Sequence, residues 1–360
     1  MTNDVKPQKI WVLGDGQLGA MLKHAAMPLN LTVEPIDINA TELPNLQPLD
    51  RVTAEREQWP DTPVTQALSE HPHFLNKNTF STLADRASQK SLLDELKIST
   101  APWQKVEVST IEATLHEQLG PRVLLKRRTG GYDGRGQHWL KQAEASKIPE
   151  DWHEQAIAEA AIDFDEEVSI IGVRGKNGDC FFYPLTLNLN TDGILMATVS
   201  PTERLSHLQA TAETMLKTLL DHLDYVGVLA IELFRLGDTL MVNELAPRVH
   251  NTGHWTQAGA SISQFEYHVR AVADLPLTAA TIKAPSVMVN LIGTEWDERW
   301  LGVKGAEVYW YGKSHRPGRK LGHINICSGD KNLLRASLEE LRGLLPENYA
   351  PCLDWVLKNI

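Results

Sequence analysis

Lys126 ends an apolar run, VLLK, and the residues that follow, RRTGGYDGRGQ, carry Gly130, Gly131, Gly134 and Gly136. A lysine at the rim of a strand is a compact point charge suited to phosphate oxygens. The glycine-rich stretch beside it suits a flexible cover, to which Arg135 and Gln137 add hydrogen-bond donors. No GKS or GKT is present, so the loop is not a Walker A. Far downstream, Glu232 lies in VLAIELF and Glu244 in LMVNEL, each inside an otherwise apolar run. A buried, unpaired carboxylate is costly. Mg2+ takes one or two carboxylates together with nucleotide phosphates, which makes it the natural partner of such a pair. Asn243 offers an amide oxygen beside it. The parts needed to hold Mg-ATP are therefore present. The competing reading is a solvated glycine hairpin with an incidental lysine, and two acids at exposed or ion-paired strand positions.

Other residues extend this set. In NELAPRVHNTGHWTQ, Arg248, His250 and Asn251 follow Glu244 closely and would hold a small anion beside a γ-phosphate. His250 and His254 have a helical metal spacing, but Pro247 and Gly253 interrupt a regular helix and no third ligand is evident, which favours oriented donors over zinc. Glu159 in AIAEAAI and Glu167 in DFDEEVSII are candidates to accept ribose hydroxyls, and the peptide groups around 159–162 to read an adenine edge. HRPGRKLGH sets Arg316, Arg319 and Lys320 around a Pro-Gly turn, which suggests capture of a phosphorylated substrate rather than a merely solvated turn. Near the N-terminus, Gly14, Gly16 and Gly19 form GxGxxG, with Asp37 eighteen residues after the last glycine. Glycines there let backbone N–H groups approach an anion at a helix N-terminus. NAD, another phosphate and a ligand-free tight turn all fit that loop.

The elements that must carry these groups alternate. KIWVLG reads as a buried strand, LGAMLKHAAMPL as a helix and LTVEPID as a second strand ending near Asp37, a β-α-β opening. TFSTLADRASQKSLLDELKI reads as one long helix, with Ser81 a possible cap and Lys97 near its end. Pro102 breaks it and marks a boundary. TIEATLHEQLG is a helix closed by Gly120, VLLKRR a strand, and QATAETMLKTLLDHLD an amphipathic helix. Asn177-Gly178 predicts a hairpin turn between EEVSIIGVRG and DCFFYPLTLNL. Gly237-Asp238 predicts another between VGVLAIELFRL and TLMVNEL, which would bring Glu232 and Glu244 onto neighbouring strands. Past 276, short strands surround the RPGRK turn and precede the helix NLLRASLEELRGLL.

The whole chain sets limits. At 360 residues it is too long for one ordinary core, and two or three domains are expected. A hydrophobic fraction of 42% and a charged fraction of 22% are those of a soluble globular protein. Basic and acidic residues number 35 and 46, a net charge of −11, which argues against non-specific binding to nucleic acid. Cys180, Cys327 and Cys352 are scattered and no CxxC occurs, so neither structural zinc nor a disulfide framework is supported, and a reducing cytoplasm fits best. No apolar window is long enough for a membrane span, and the N-terminus lacks a signal-peptide core.

Taken together, KRRTGGYDGRGQ, the acids in VLAIELF and NELAPRVHNTGHWT, and RPGRKLGH resemble the N5-carboxyaminoimidazole ribonucleotide synthetase family, ATP-grasp carboxylases of bacterial purine biosynthesis. The likeness runs from GDGQLG to RPGRKLGH, nearly the whole chain. It implies an α/β and α+β protein: an N-terminal parallel-sheet pre-ATP-grasp domain (1–100), a central ATP-grasp domain (101–275) and a small C-terminal β-rich domain (276–360). It implies that ATP, bicarbonate and 5-aminoimidazole ribonucleotide give the N5-carbamate, ADP and phosphate through carboxyphosphate, with Mg2+ or Mn2+ as the metal. It implies a homodimer with small-molecule substrates, and neither nucleic acid nor membrane as partner. Matched residue by residue, Arg86 and Lys126 contact the ATP phosphates. Gly131, Tyr132, Asp133, Gly134, Arg135, Gly136 and Gln137 close over them. Glu159, Ala160, Ala161 and Ile162 line adenine, Glu167 the ribose, and Asn243 and Glu244 the phosphate end. Glu232 and Glu244 hold the metal. Arg248, His250 and Asn251 hold bicarbonate or carboxyphosphate. Tyr132, Asp133 and Arg135 face the acceptor, with Gln17, Glu55, Lys313, Arg319 and Lys320 completing its pocket and Glu57 a near-equivalent of Glu55. Where relatives carry a histidine in NLN, this chain has Asn190. In this family the GxGxxG loop faces the acceptor nucleotide, not NAD. Formate-dependent glycinamide ribonucleotide transformylases and biotin carboxylases are the nearest alternatives, and a dinucleotide-dependent oxidoreductase on residues 1–100 a more distant one.

Overall fold

A computed structural model describes residues 9–131 and 134–360. Three sheets make up the frame. The first is a small parallel sheet in which β1 (Ile10–Leu13), wholly buried, lies between β2 (Val33–Ile36) and β3 (Arg51–Ala54). The crossover from β1 to β2 is α1 (Gln17–Ala26), and α2 (Pro63–Ser69), capped by Thr62, follows β3.

The stretch read as one long helix is two, α3 (Lys77–Leu83) and α4 (Arg86–Glu95). Asp85 accepts a hydrogen bond from the Ala87 N–H and starts a new helix there, because a short acidic side chain competes for the backbone donors that a continuous helix would use. Ser81 caps nothing; its hydroxyl donates to the Asn78 carbonyl inside α3. Lys97 lies past the end of α4 in the left-handed region, at φ 56°.

The second sheet is antiparallel, in the order β4 (Trp103–Lys105), β7 (Ala156–Ala160), β5 (Arg122–Arg127), β6 (Gln137–Lys141). The glycine-rich loop joins β5 to β6. Before β5, α5 (Glu112–Leu119) stops at Gly120, whose φ of 95° suits glycine. Leu115, Val123, Leu125, Leu140 and Trp152 form this unit's own core.

The third sheet has nine strands. They are β8 (Glu166–Arg174), β9 (Cys180–Phe182), β10 (Thr186–Thr191), β11 (Ile194–Ser200), β12 (Gly227–Leu236), β13 (Thr239–Ala246), β14 (Ser286–Ile292), β15 (Ala306–Trp310) and β16 (Lys320–Cys327). Their order is β13-β12-β8-β10-β11-β14-β16-β15, with β9 on β8, so the sheet continues across position 275 without a break. The turn at Asn177-Gly178 forms the β8–β9 hairpin, and the apolar run after it splits at Pro184 into β9 and β10. Residues of β8 alternate. Val168 and Ile170 pack on Leu216, Leu219 and Leu220 of α6 (Gln209–His222), while Ile171 and Val173 face Trp255 and Phe265. Phe265 belongs to α8 (Gln264–Val272), which follows the short α7 (Thr256–Gly259). Val287, Val289, Ile324 and Ile326 bury one face against α9 (Lys331–Leu344) and α10 (Ala350–Asn359). Each fully buried Leu or Ile contributes roughly 1.5–3 kcal/mol. Among the described residues no helix is long and apolar enough to cross a membrane. Cys180, Cys327 and Cys352 are all free.

Candidate active site

A cleft of about 1330 Å³ runs between the three sheets. At one end β5 delivers Lys126 to its wall. The Lys126 ammonium does not stand alone: Nζ lies 2.8 Å from Glu159 Oε2 and donates to Asn243 Oδ1 at 3.0 Å. The other Glu159 oxygen lies 2.9 Å from Lys90 Nζ. Burial pushes the Glu159 carboxyl up, but Lys126 and Lys90 outweigh it and hold it down at about 2. The Glu159 side chain is thus committed to two lysines and is not the ribose acceptor the sequence allowed. The Ala160 and Ala161 N–H groups donate to the Pro102 and Arg122 carbonyls. Glu167 is better placed for a sugar: Asn190 Nδ2 donates to its Oε2 at 2.7 Å, and burial raises its carboxyl despite that bond. Sequence reasoning missed the apolar slot beside it. Phe164 and Phe234 stack at 4.4 Å, and Trp139 and Leu195 complete the wall. A signal was available, since Phe234 is two residues after Glu232 on the same strand and so shares its face.

Arg86, in the first turn of α4, ties the glycine-rich loop to the acids. Its guanidinium donates to the carbonyls of Arg127 and Gly131, both at 3.0 Å, and to Glu244 Oε1 at 3.2 Å. Further along, Gly134 (φ 73°) packs on the β10–β11 turn so closely that a Cβ there would lie 2.6 Å from the Asp192 carbonyl oxygen. Tyr132 and Asp133 lie outside the described residues.

The two acids are register partners across β12 and β13, and the register skips Asn243 next to Glu244, a bulge in β13. Burial first, then the nearby charges of Glu244 and Glu167, raise Glu232 to about 8. His250 Nε2 sits 3.2 Å from Glu232 Oε1. Burial drives His250 well below its usual range, aided by Arg248 and Lys320, so the ring is neutral. Its Nδ1 lies 2.9 Å from Thr252 Oγ1 and 3.4 Å from the Thr252 backbone nitrogen, and its Nε2 faces Glu232. Both ring nitrogens are thus in contact with protein groups, Nε2 with Glu232 and Nδ1 with Thr252. Two opposed carboxylates, one of them raised chiefly by burial and further by its neighbours, are a site that a divalent cation would neutralise, and the oxygen donors suit Mg2+. Among the described residues no group of three His, Cys, Asp or Glu could hold a metal. The donors opposed here are, among the described residues, two carboxylates, a set that fits magnesium on a nucleotide better than zinc. His254 is used internally, its Nδ1 3.1 Å from Gln264 and its ring 4.6 Å from that of His323.

Beyond the acids, Arg248 Nε donates to Glu57 Oε1 at 2.7 Å. Asn251 lines the cleft, and both polar atoms of its side-chain amide are buried with no hydrogen-bond partner among the described residues. Such an orphan is rare in a folded interior and marks where a ligand would bond.

The far end of the cleft joins the first unit to the basic turn. Lys313 donates to Gln17 Oε1 and lies over the Tyr311 ring. Arg319 Nη1 donates to Ser314 Oγ at 2.7 Å, and Arg316, Arg319 and Lys320 all face the cleft. The GxGxxG loop is already filled. Glu55 accepts the Gly16 N–H at 2.6 Å and the Gly19 N–H at 2.5 Å, and a Cβ at Gly14 or Gly16 would collide with its carboxylate. The anion that these glycines admit is the protein's own, which removes the dinucleotide reading. It also separates the two acids that sequence left near-equivalent: Glu55 holds the loop, and Glu57 holds Arg248.

Residues 91–265 match the model of the ATP-grasp domain, and residues 286–337 that of the phosphoribosylaminoimidazole carboxylase C-terminal domain. An N5-carboxyaminoimidazole ribonucleotide synthase of Haemophilus influenzae is 47% identical over 362 residues, covering 100% of both chains. The crystal structure of the N5-carboxyaminoimidazole ribonucleotide synthetase of Thermus thermophilus has a TM-score of 0.83 at 36% identity, covering 93% of this chain and 98% of its own. An Aspergillus clavatus N5-carboxyaminoimidazole synthase in complex with ADP and 5-aminoimidazole ribonucleotide has a TM-score of 0.80 at 27% identity, covering 94% of this chain and 98% of its own.

Proposed function

The chain belongs to the N5-carboxyaminoimidazole ribonucleotide synthase family, and from that premise we propose what each part of the cleft does. The protein is an ATP-dependent ligase that carboxylates 5-aminoimidazole ribonucleotide with bicarbonate, releasing ADP and phosphate. Adenine enters the slot of Phe234, Phe164 and Trp139 and meets the chain near Ile162. Glu167, steadied by Asn190, receives the ribose. Lys126 and Arg86 face the phosphates, under the loop that contains Gly131, Gly134, Arg135, Gly136 and Gln137. Glu232 and Glu244 would hold Mg2+, which when bound offsets the phosphate charge.

Arg248 and the open amide of Asn251 hold bicarbonate. Its oxygen attacks the γ-phosphorus, ADP leaves, and carboxyphosphate forms. The exocyclic amine of the acceptor then takes the carboxyl group, losing a proton as inorganic phosphate departs. Positioning and charge neutralisation carry such a transfer, with little covalent help from the protein. Lys313, Arg316, Arg319 and Lys320 meet the acceptor's 5′-phosphate, and Gln17 its base or sugar. Glu55 shapes the loop beneath.

The observation that carries this reading is the continuity of one cleft from the opposed Glu232 and Glu244 to the basic turn. An ADP-release assay tests it. Turnover depends on bicarbonate and rises with 5-aminoimidazole ribonucleotide. Turnover indifferent to both, but driven by glycinamide ribonucleotide and formate, would overturn the assignment.

A further inference from the structure

Behind Lys126 lies a charge that the reaction above does not use. Lys90 on α4 is 3% exposed and lies outside the cleft wall. Its ammonium is 2.9 Å from Glu159 Oε1 and donates to Thr100 Oγ1 at 2.6 Å. Thr100 in turn donates to the Val242 carbonyl at 2.8 Å, next to Asn243 and Glu244. Asp94, one turn further on α4, adds a weaker attraction. Burial lowers Lys90 from its ordinary range, and Glu159 opposes this in part.

The arithmetic of the cluster is one carboxylate between two ammoniums. Buried charges are ordinarily matched one to one, since a surplus is costly in a low dielectric. Here the surplus is positive, and of the two lysines Lys126 borders the cleft. If Lys90 were absent, both Glu159 oxygens would be available to Lys126, and the pair would present no net charge to a ligand.

We propose that Lys90 is a positioning residue for the nucleotide: by sharing Glu159 it leaves the Lys126 ammonium charge available to the ATP phosphates. This rests on the ATP reading of the cleft. It separates Lys90 from a purely structural lysine, because the effect runs through the charge on Glu159.

The test is a set of variants titrated calorimetrically with MgADP and assayed for ADP release. In Lys90→Met the Kd for MgADP and the KM for ATP rise by at least about fivefold, the scale of one screened charge contact. The KM values for bicarbonate and for the acceptor stay unchanged. In the double variant Lys90→Met, Glu159→Gln the cluster again carries one positive charge, and ATP affinity returns to within about twofold of wild type. A structural role predicts the opposite, a double variant no better than the single. Lys90→Gln makes the same comparison if the methionine variant does not fold. A folded Lys90 variant that binds MgADP as wild type does, or a double variant as weak as the single, overturns the inference alone. A wild-type protein that binds no MgADP overturns the ATP reading and this inference with it.

Discussion

Glu244 and Glu159 show how two carboxylates of one cleft come to opposite tasks. Glu244 faces Glu232 across a strand pair and is reached by Arg86. Replacing it by glutamine keeps shape and removes charge. Glu244→Gln is expected to lower ADP release by at least about a hundredfold, on the scale of lost transition-state charge stabilisation, with an unchanged circular dichroism spectrum and melting temperature. Glu159 is instead held down at about 2 by its two lysines, from an ordinary value of 4.5. A depressed carboxyl stabilises the fold above its unfolded value and loses that contribution as pH falls toward its folded value. Stability should therefore drop between pH 4.5 and about 2. The shift corresponds to roughly 3 kcal/mol as an order of magnitude. Denaturant titrations of wild type and Glu159→Gln across that window check the sign: the variant is weaker at neutral pH, with two lysines left facing each other, and flatter in acid.

Among the elements, the break between α3 and α4 matters most. A continuous helix would carry Arg86 mid-helix; the new start at Asp85 places it in a first turn beside the glycine-rich loop. Asp85 also pairs with Arg128, and despite burial these bonds hold its carboxyl below the usual range. Asp85→Ala should cost about 1–2 kcal/mol, combining a lost cap with a partly exposed ion pair, and should raise the KM for ATP. Urea midpoints and initial rates measure the two effects separately. The loop joining β5 to β6 is held at its base by Arg86 and further along by the close approach of Gly134 to Asp192. Gly134→Ala forces a Cβ into that carbonyl at a positive φ, so the loop should close less well. Its expected signature is a raised KM for ATP with little change in melting temperature, because the loop contributes little core.

For the molecule as a whole, the first unit is not free-standing. Ile10, Val12, Met21 and Leu22 share a core with Val228, Phe265 and Val269. Asn76 bonds both ways to the Val226 backbone, and His268 bonds Thr53 and the Val228 N–H. Residues 1–100 expressed alone should therefore fail to give a cooperative thermal transition, whereas the full chain should melt with that unit included. What sequence made legible follows from the range of the interactions. Lys126, the Glu232–Glu244 pair and the Gly237 turn were readable because strand period and turn chemistry are local. The split at Asp85 was not, since a capping aspartate inside a helical pattern is decided by what Arg86 and Arg128 can reach. Nor was the engagement of Glu159 by Lys90, which joins α4 to β7 across 69 positions of chain and leaves no periodic trace. His250 is legible as a cleft residue, but its contact with Glu232 is made across the fold and leaves no local signal.

The carboxylate of Glu55 inside the glycine loop bears on how this enzyme could be inhibited. A competitor anion aimed at that loop would have to displace a group tethered to the same chain, whose effective concentration is on the order of millimolar or above. Dinucleotide-like scaffolds aimed at that loop are therefore poor starting points. The unbonded amide of Asn251 is different, since among the described residues no group competes for it. A small planar acid reaching Asn251 would meet no such rival at that amide, and selectivity over true dinucleotide enzymes would come with it.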